Sequence, residues 1–591
     1  MRGWDEVDVI IFSGDAYIDH PSFGAAVIGR VLEHEGLRVA IVPQPNWRDD
    51  LRDFKKLGKP RLFFGVTSGC MDSMVNHYTA NKRLRSDDAY SPDGKAGFRP
   101  DYATAVYSSI LKKLFPDVPV VIGGIEASMR RFSHYDYWSD QLKNSILIDS
   151  KADLLVYGMG EKTIVEIARQ LYEKKDVTLL KDIPQTAFLI HSNEITSYAN
   201  ADTIQLHSHQ ECQKSKEKSA HNFKIIEEES NKKIAQRIIQ VNGNKAVVVN
   251  PPYISWSQEE VDATYELPFT RLPHPKYRDK RLPAYEMIRF SVNTHRGCFG
   301  GCAFCTISMH QGKHILSRSE KSVLNEVKKI SEMEGFKGYL SDLGGPSANM
   351  YGLQGKEVSK CNFCKRPSCI YPSVCHNLTV DHSRMLELYR KVDALPFIKK
   401  SFIGSGVRYD LLLYRSADEK VNKSLRTYTR ELIANHVSGR LKVAPEHTSE
   451  AVLKLMRKPS FELFCAFNVE FERINKEFAL RQQLIPYFIS SHPACTVEEM
   501  AELAIITRSM HIKPEQVQDF TPTPMTLATE IYYTGIDPYT GKKCYTARTR
   551  DEKQTQQKFF FWYKPEFRQD IITALRKINR KNLIGKLFSF G

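Results

Sequence analysis

Cys298, Cys302 and Cys305 stand at i, i+4 and i+7 in Gly297-Cys-Phe-Gly-Gly-Cys-Ala-Phe-Cys305. Three thiolates at that spacing can wrap one corner of a cubane iron–sulfur cluster. Gly297, Gly300 and Gly301 allow the tight φ values that turn backbone N–H groups toward its sulfurs. A cluster used only for electron transfer takes four cysteines, so three leave one iron open to a substrate or cofactor. A zinc knuckle and three unrelated core cysteines are the competing readings. Zinc takes four protein ligands, or three with water, and no nearby histidine completes a familiar spacing.

The C-x3-C-x2-C pattern, with Phe304 just before its last cysteine, resembles the signature of the radical S-adenosylmethionine (SAM) superfamily. The resemblance implies a 4Fe-4S cluster on Cys298, Cys302 and Cys305 whose fourth iron takes the amino and carboxylate groups of SAM. It implies one-electron cleavage of SAM to a 5′-deoxyadenosyl radical, and an external one-electron reductant of flavodoxin or ferredoxin type. It places the SAM amino group beside Gly344 and Gly345, with Pro346 where many relatives carry an acidic residue. Arg408 would then meet the SAM carboxylate and Ser405 a ribose hydroxyl. Over residues 12–570 the chain resembles the YgiQ family of radical SAM proteins. The carrying segments are the N-terminal Gly-Gly and Gly-x-Gly-Glu stretches, Thr294 to Cys305, Asp342 to Asn349, Gly404 to Asp410 and Val443 to His447. That family leaves the reaction and the substrate open.

Two further sets of residues could do chemistry. Lys442-Val-Ala-Pro-Glu-His-Thr448 offers Glu446 and His447 as candidate catalytic groups. Cys361, Cys364, Cys369 and Cys375 lie within fifteen residues, and C-x2-C-x4-C-x5-C is dense enough to close a tetrahedral site. Structural zinc and an auxiliary iron–sulfur cluster both fit, with free thiols as the plain alternative.

The elements that position these residues alternate strand and helix. Strands are expected at 287–292, 338–342, 399–404, 440–444, 485–490 and 516–521, with helical patterns between them. They suggest a partial (β/α)6 TIM-type barrel over 284–525, the fold that the resemblance implies, with a Cys-rich insert at 355–378. In parallel barrels chemistry gathers at the carboxyl ends of the strands, where all the candidates fall. Ahead of it, apolar runs at 8–12, 38–42, 62–66, 118–124 and 153–157, with helices at 23–35, 101–114 and 161–173, predict a doubly wound Rossmann-like α/β domain over 1–175. It resembles the cobalamin-binding domain often found ahead of radical SAM barrels. Yet the nearest match to the lower-ligand motif Asp-x-His-x-x-Gly is Asp19-His-Pro-Ser-Phe-Gly24, with Asp and His adjacent. Cobalamin is therefore not expected. Residues 176–283 are expected as a connector, with 205–233 a solvated helical excursion and 246–252 an edge strand stopped by prolines. Glu126 to Trp138, with two arginines and four aromatics, suits either ligand contacts or a cap over the barrel mouth.

The chain's 591 residues exceed one core's usual size. No apolar run reaches the roughly 20 residues of a membrane span, and no signal peptide opens the sequence. Seven of twelve cysteines lie between 298 and 375, a pattern of metal binding in a reducing compartment, so the cytoplasm is the expected location. The net charge of +15 is concentrated at the C-terminus, where residues 541–591 carry thirteen Lys and Arg against four Asp and Glu. This extension, 526–591, includes Lys558-Phe-Phe-Phe-Trp-Tyr563. Aromatic and basic residues together could bind RNA, while the commoner role of such a run is to dock a final helix on the barrel. The expected function is a radical SAM enzyme acting on a large substrate, RNA first and a protein side chain second. A non-catalytic iron–sulfur or zinc-binding protein is the other class.

Overall fold

A computed structural model describes residues 3–588. Short apolar runs form Val9–Ser13 (β1), Val39–Pro43 (β2), Phe63–Thr67 (β3), Val120–Ile122 (β4) and Leu154–Val156 (β5). They pair in parallel in the order β2-β1-β3-β4-β5. Helices Gly24–His34 and Ala103–Leu114 cross over between them and Glu161–Tyr172 follows β5, burying Leu32, Leu111 and Ile167 against the sheet layers. This is the doubly wound α/β arrangement, whose ligand crevice lies beyond the carboxyl ends of the strands.

The stretch expected as a connector continues the same sheet. Thr186–His191 (β6) runs antiparallel beside β5, and Thr203–Gln205 (β7), Arg237–Asn242 (β8) and Lys245–Val249 (β9) complete the order β6-β9-β8-β7. Strand β9 is therefore interior, not an edge. Pro251 and Pro252 lie past its last residue and remove no ladder bond. Nor is 205–233 a solvated excursion. Helix Lys216–Ser230 buries Ala220, Phe223, Ile226 and Glu227, and the Glu227 carboxylate takes two bonds from Arg457 at 2.7 and 2.9 Å. A charged residue can be buried when paired in this way, so polar composition concealed a packed helix.

Six parallel strand positions follow: Ser291–Asn293 (β10), Tyr339–Leu340 with Asp342–Gly344 (β11 and β12), Lys400–Ser401 (β13), Arg440–Glu446 (β14), Gln483–Ser490 (β15) and Gln516–Asp519 (β16). The ladders are β10–β12, β11–β13 and β14–β15–β16, with helices such as Glu320–Ser331 and Ser383–Asp393 on the outer face. The barrel is thus a partial (β/α)6 wall. Its first strand starts at Ser291 rather than Met287. Pro283–Ile288 is helical, with Pro283 at the first turn where its missing N–H costs nothing, and Met287 is 70% exposed.

The C-terminal run docks. Phe559 and Phe560 are fully buried in the barrel core with Ile571, Leu575 and Leu587, and Trp562 Nε1 donates to Thr507 Oγ1 at 3.2 Å. No described helix is long and apolar enough to cross a membrane.

Candidate functional site

The three cysteines occupy the loop between β10 and helix Ile307–Gln311. Two of its glycines are forced by close backbone approach. A Cβ on Gly297 (φ +86°) would stand 2.3 Å from the His314 carbonyl oxygen, and one on Gly301 (φ +61°) 2.2 Å from that of Pro367. The Gly300 N–H donates to Cys298 Sγ at 3.4 Å, as a cluster sulfur environment requires. Burial raises the Cys298 thiol and pushes Cys305 up to about 12, with the neighbouring cysteine thiolates adding to both. Thiols this close resist ionising together, and a bound metal reverses that penalty.

Arg408 reaches the same loop. Its Nη1 lies 3.5 Å from Cys302 Sγ, and Asp410 takes Nη2 and Nε at 2.6 and 3.0 Å. Burial opposes the guanidinium charge, yet Asp410 and the thiolates hold its pKa well above the ordinary value. Asn349 grips the Arg408 backbone from both sides, accepting its N–H at 2.7 Å and donating to its carbonyl at 3.0 Å. Ser405 Oγ donates to Asp342 Oδ1 at 3.0 Å, with the Gly404 and Ser405 amides on the same oxygen. Gly344 ends β12 and Gly345 follows it, where a Cβ would meet Ser405 Oγ and the His295 ring respectively, each at 2.4 Å. Sequence reasoning gave Asp342 and Asp410 no role, although Asp410 stands only two residues from Arg408.

The candidate catalytic pair separates. Glu446, held at φ +68°, is buried with its carboxyl 3.5 Å from Lys458 Nζ. Burial raises its pKa against the pull of Lys458 and Arg408, so it belongs to the charge cluster around the cysteine loop. His447 makes other contacts. It is fully buried, with Nε2 3.5 Å from Cys495 Sγ and Nδ1 accepting the Ser449 N–H at 3.0 Å. Lys458 was missed because it follows a helix with no motif around it.

The insert closes on itself through the Gly355–Leu378 bridge and packs on the cysteine loop, with Cys369 N–H donating to the Phe299 carbonyl at 3.0 Å. In Glu126 to Trp138, Glu126 and Arg130 are buried in the N-terminal domain. Glu126 accepts from the Ser73 and Thr104 amides at 2.8 and 2.9 Å, and Arg130 pairs with Asp72. Arg131 lines a cavity together with Phe132 and stacks 4.6 Å over Tyr157.

A cavity of about 510 Å³ lies between the carboxyl ends of the N-terminal strands and the first barrel loop, lined by Thr67, Gly124, Gly158, Glu161, His295 and Arg296. Arg296 pairs with Glu161 across it. At its rim, a Cβ on Gly24 would meet nothing within 4 Å.

Residues 1–291 match the family model described as Radical SAM N-terminal, and 515–587 a domain of unknown function, DUF3362. A UPF0313 protein of Bacteroides thetaiotaomicron is 65% identical over 100% of this chain and 96% of its own length. One from Geobacter sulfurreducens is 45% identical over 99% and 94%. Among solved structures, the radical SAM methyltransferase TsrM from Kitasatospora setae, with cobalamin and a 4Fe-4S cluster bound, shares the fold at TM-score 0.51 and 14% identity, over 94% of this chain and 89% of that one. The expectation against cobalamin is thereby corrected. It rested on a displaced histidine motif, whereas a protein of this fold holds cobalamin, and the cavity at the strand ends offers glycine-lined space for a large ligand.

Proposed function

Since this chain belongs to the UPF0313 family and is an enzyme of the radical SAM class, we propose that Cys298, Cys302 and Cys305 hold a 4Fe-4S cluster and that SAM binds against Gly344, Gly345, Ser405 and Arg408. The observation that carries this is the convergence of three thiols with the Arg408 guanidinium, 3.5 Å from Cys302 Sγ, at the carboxyl ends of the barrel strands. The cluster, when bound, supplies an electron from an external one-electron reductant to cleave SAM to a 5′-deoxyadenosyl radical. Arg408 sets a fixed positive charge for the SAM carboxylate, and Asp410 and Asn349 hold it in place. Asp342 orients Ser405 for a ribose hydroxyl. Glu446, buried beside Lys458, is the group able to hold a proton next to the cluster loop.

Cobalamin would occupy the cavity between the N-terminal sheet and the barrel, where it would supply cobalt-centred group transfer. Glycines floor that space, and the Arg296–Glu161 pair ties its two walls. Titration with hydroxocobalamin should give saturable binding to the wild type and weaker binding to Gly24→Trp, which adds bulk at a glycine lining the cavity. Absence of binding to the wild type removes cobalamin from the reading and leaves the cluster untouched. For the cluster, anaerobically reconstituted protein should show an electron paramagnetic resonance signal that SAM perturbs.

RNA is the substrate proposed, ahead of a protein side chain. The buried Phe559 and Phe560 are unavailable for stacking, so the support is charge: Arg576, Lys577, Lys581 and Lys586 are exposed on the last two helices. Binding of total tRNA should weaken steeply with salt, and no binding at low salt turns the search to protein substrates.

A further inference from the structure

Four cysteines outside the SAM site converge on one small volume. Cys369 is half-buried, and Cys361, Cys369 and Cys375 line one cavity. Asn377 Nδ2 donates to Cys361 Sγ at 3.5 Å, and the Cys375 N–H donates to the Cys369 carbonyl at 2.8 Å, so the backbone curls around the sulfurs. A Cβ on Gly355 would stand 2.8 Å from Cys361 Sγ, which fixes that thiol against the base of the insert.

One buried cation faces this group. Lys313, 2% exposed, sends its ammonium to the Arg366 carbonyl at 2.8 Å and to Cys364 Sγ and the Cys364 carbonyl at 3.5 Å. Among the described residues no carboxylate pairs with it. A buried ammonium with only carbonyls and a thiol around it is costly. Negative charge on the four sulfurs would balance it.

Four thiolates can close a tetrahedral zinc site or hold an iron–sulfur cube, and direct contact with the first cysteine loop favours a centre that carries electrons. We propose that Cys361, Cys364, Cys369 and Cys375 bind a second 4Fe-4S cluster, with Lys313 as its buried counter-charge. It sits directly against the first cysteine loop, through the Cys369 N–H to Phe299 carbonyl bond at 3.0 Å. Three of its ligands, Cys361, Cys369 and Cys375, line a cavity of about 300 Å³ shared with Phe299, Trp256 and Arg131. Four cysteine ligands leave no open iron, so this centre stores or passes electrons rather than binding SAM.

The test does not depend on the first cluster. The variant Cys298→Ala, Cys302→Ala, Cys305→Ala, reconstituted anaerobically with ferrous iron and sulfide, should keep about four irons and four sulfides per chain. Its electron paramagnetic resonance signal on reduction should be indifferent to SAM. Adding Cys364→Ser should lose or reshape that signal, and Lys313→Met should shift its reduction potential to a more negative value with all four cysteines intact. A folded triple variant with no iron, or with stoichiometric zinc alone, overturns the proposal. So does a signal unchanged by both Cys364→Ser and Lys313→Met.

Discussion

Arg408 Nη2 lies 2.6 Å from Asp410 Oδ2, while Nη1 of the same guanidinium lies 3.5 Å from Cys302 Sγ. One carboxylate thus fixes the charge that faces the cysteine loop before any ligand arrives. Asp410→Asn should leave the fold intact and cost about 10–100-fold in the rate of SAM cleavage, as loss of a supporting group around a metal site does. Iron content measured beside the rate separates loss of positioning from loss of the cluster. A variant with full iron and an unchanged rate would show that Asp410 positions nothing.

Gly344 and Gly345 are irreplaceable for reasons of space. The Cβ of Gly344→Ala would press on Ser405 Oγ and that of Gly345→Ala on the His295 ring, each at 2.4 Å. Each substitution should destabilise by about 1–3 kcal/mol and weaken SAM binding. Thermal melting and SAM titration are the checks, and an unchanged melting temperature would contradict the close packing.

The N-terminal sheet was legible because β1 to β5 are apolar runs bounded by amphipathic helices, so period and order agreed. The cysteine loop was legible from spacing alone. Strand β9 was not, because prolines immediately after Val249 resemble a broken edge when the ladder is unseen. Helix Lys216–Ser230 was hidden by Glu227, whose partner Arg457 lies 230 residues away. His447 shows the converse limit. A polar residue at a strand end suggested the barrel mouth, yet its ring is buried against Cys495. Lys313 carried no signal at all, since its meaning comes only from cysteines about fifty residues downstream.

Glu530 gives the fold a pH dependence. Burial pushes its carboxyl up to about 7, and its Oε1 has no hydrogen-bond partner. An unfolded Glu titrates near 4.3, about, so the folded chain holds this proton more tightly. The resulting stabilisation is complete below about pH 4 and is lost as pH rises toward 7. Glu530→Gln should match the wild type at pH 4 and exceed it by up to about 3 kcal/mol at pH 8. Urea midpoints across that range decide it, and parallel curves would contradict the assignment.

The docked tail is part of the barrel. Phe560→Ala should cost about 3–5 kcal/mol, because the ring is fully buried among Ile571, Leu575 and Leu587. Equilibrium unfolding measures this, and a loss below about 1 kcal/mol would mean a loosely held extension.

The most direct measurement is 5′-deoxyadenosine formed from SAM by anaerobically reconstituted protein with dithionite as reductant. The wild type should produce it, and Cys298→Ala, Cys302→Ala, Cys305→Ala should produce none while keeping the insert's metal. Equal production by both proteins, or none from a wild type carrying its full iron, would contradict radical chemistry at these three cysteines.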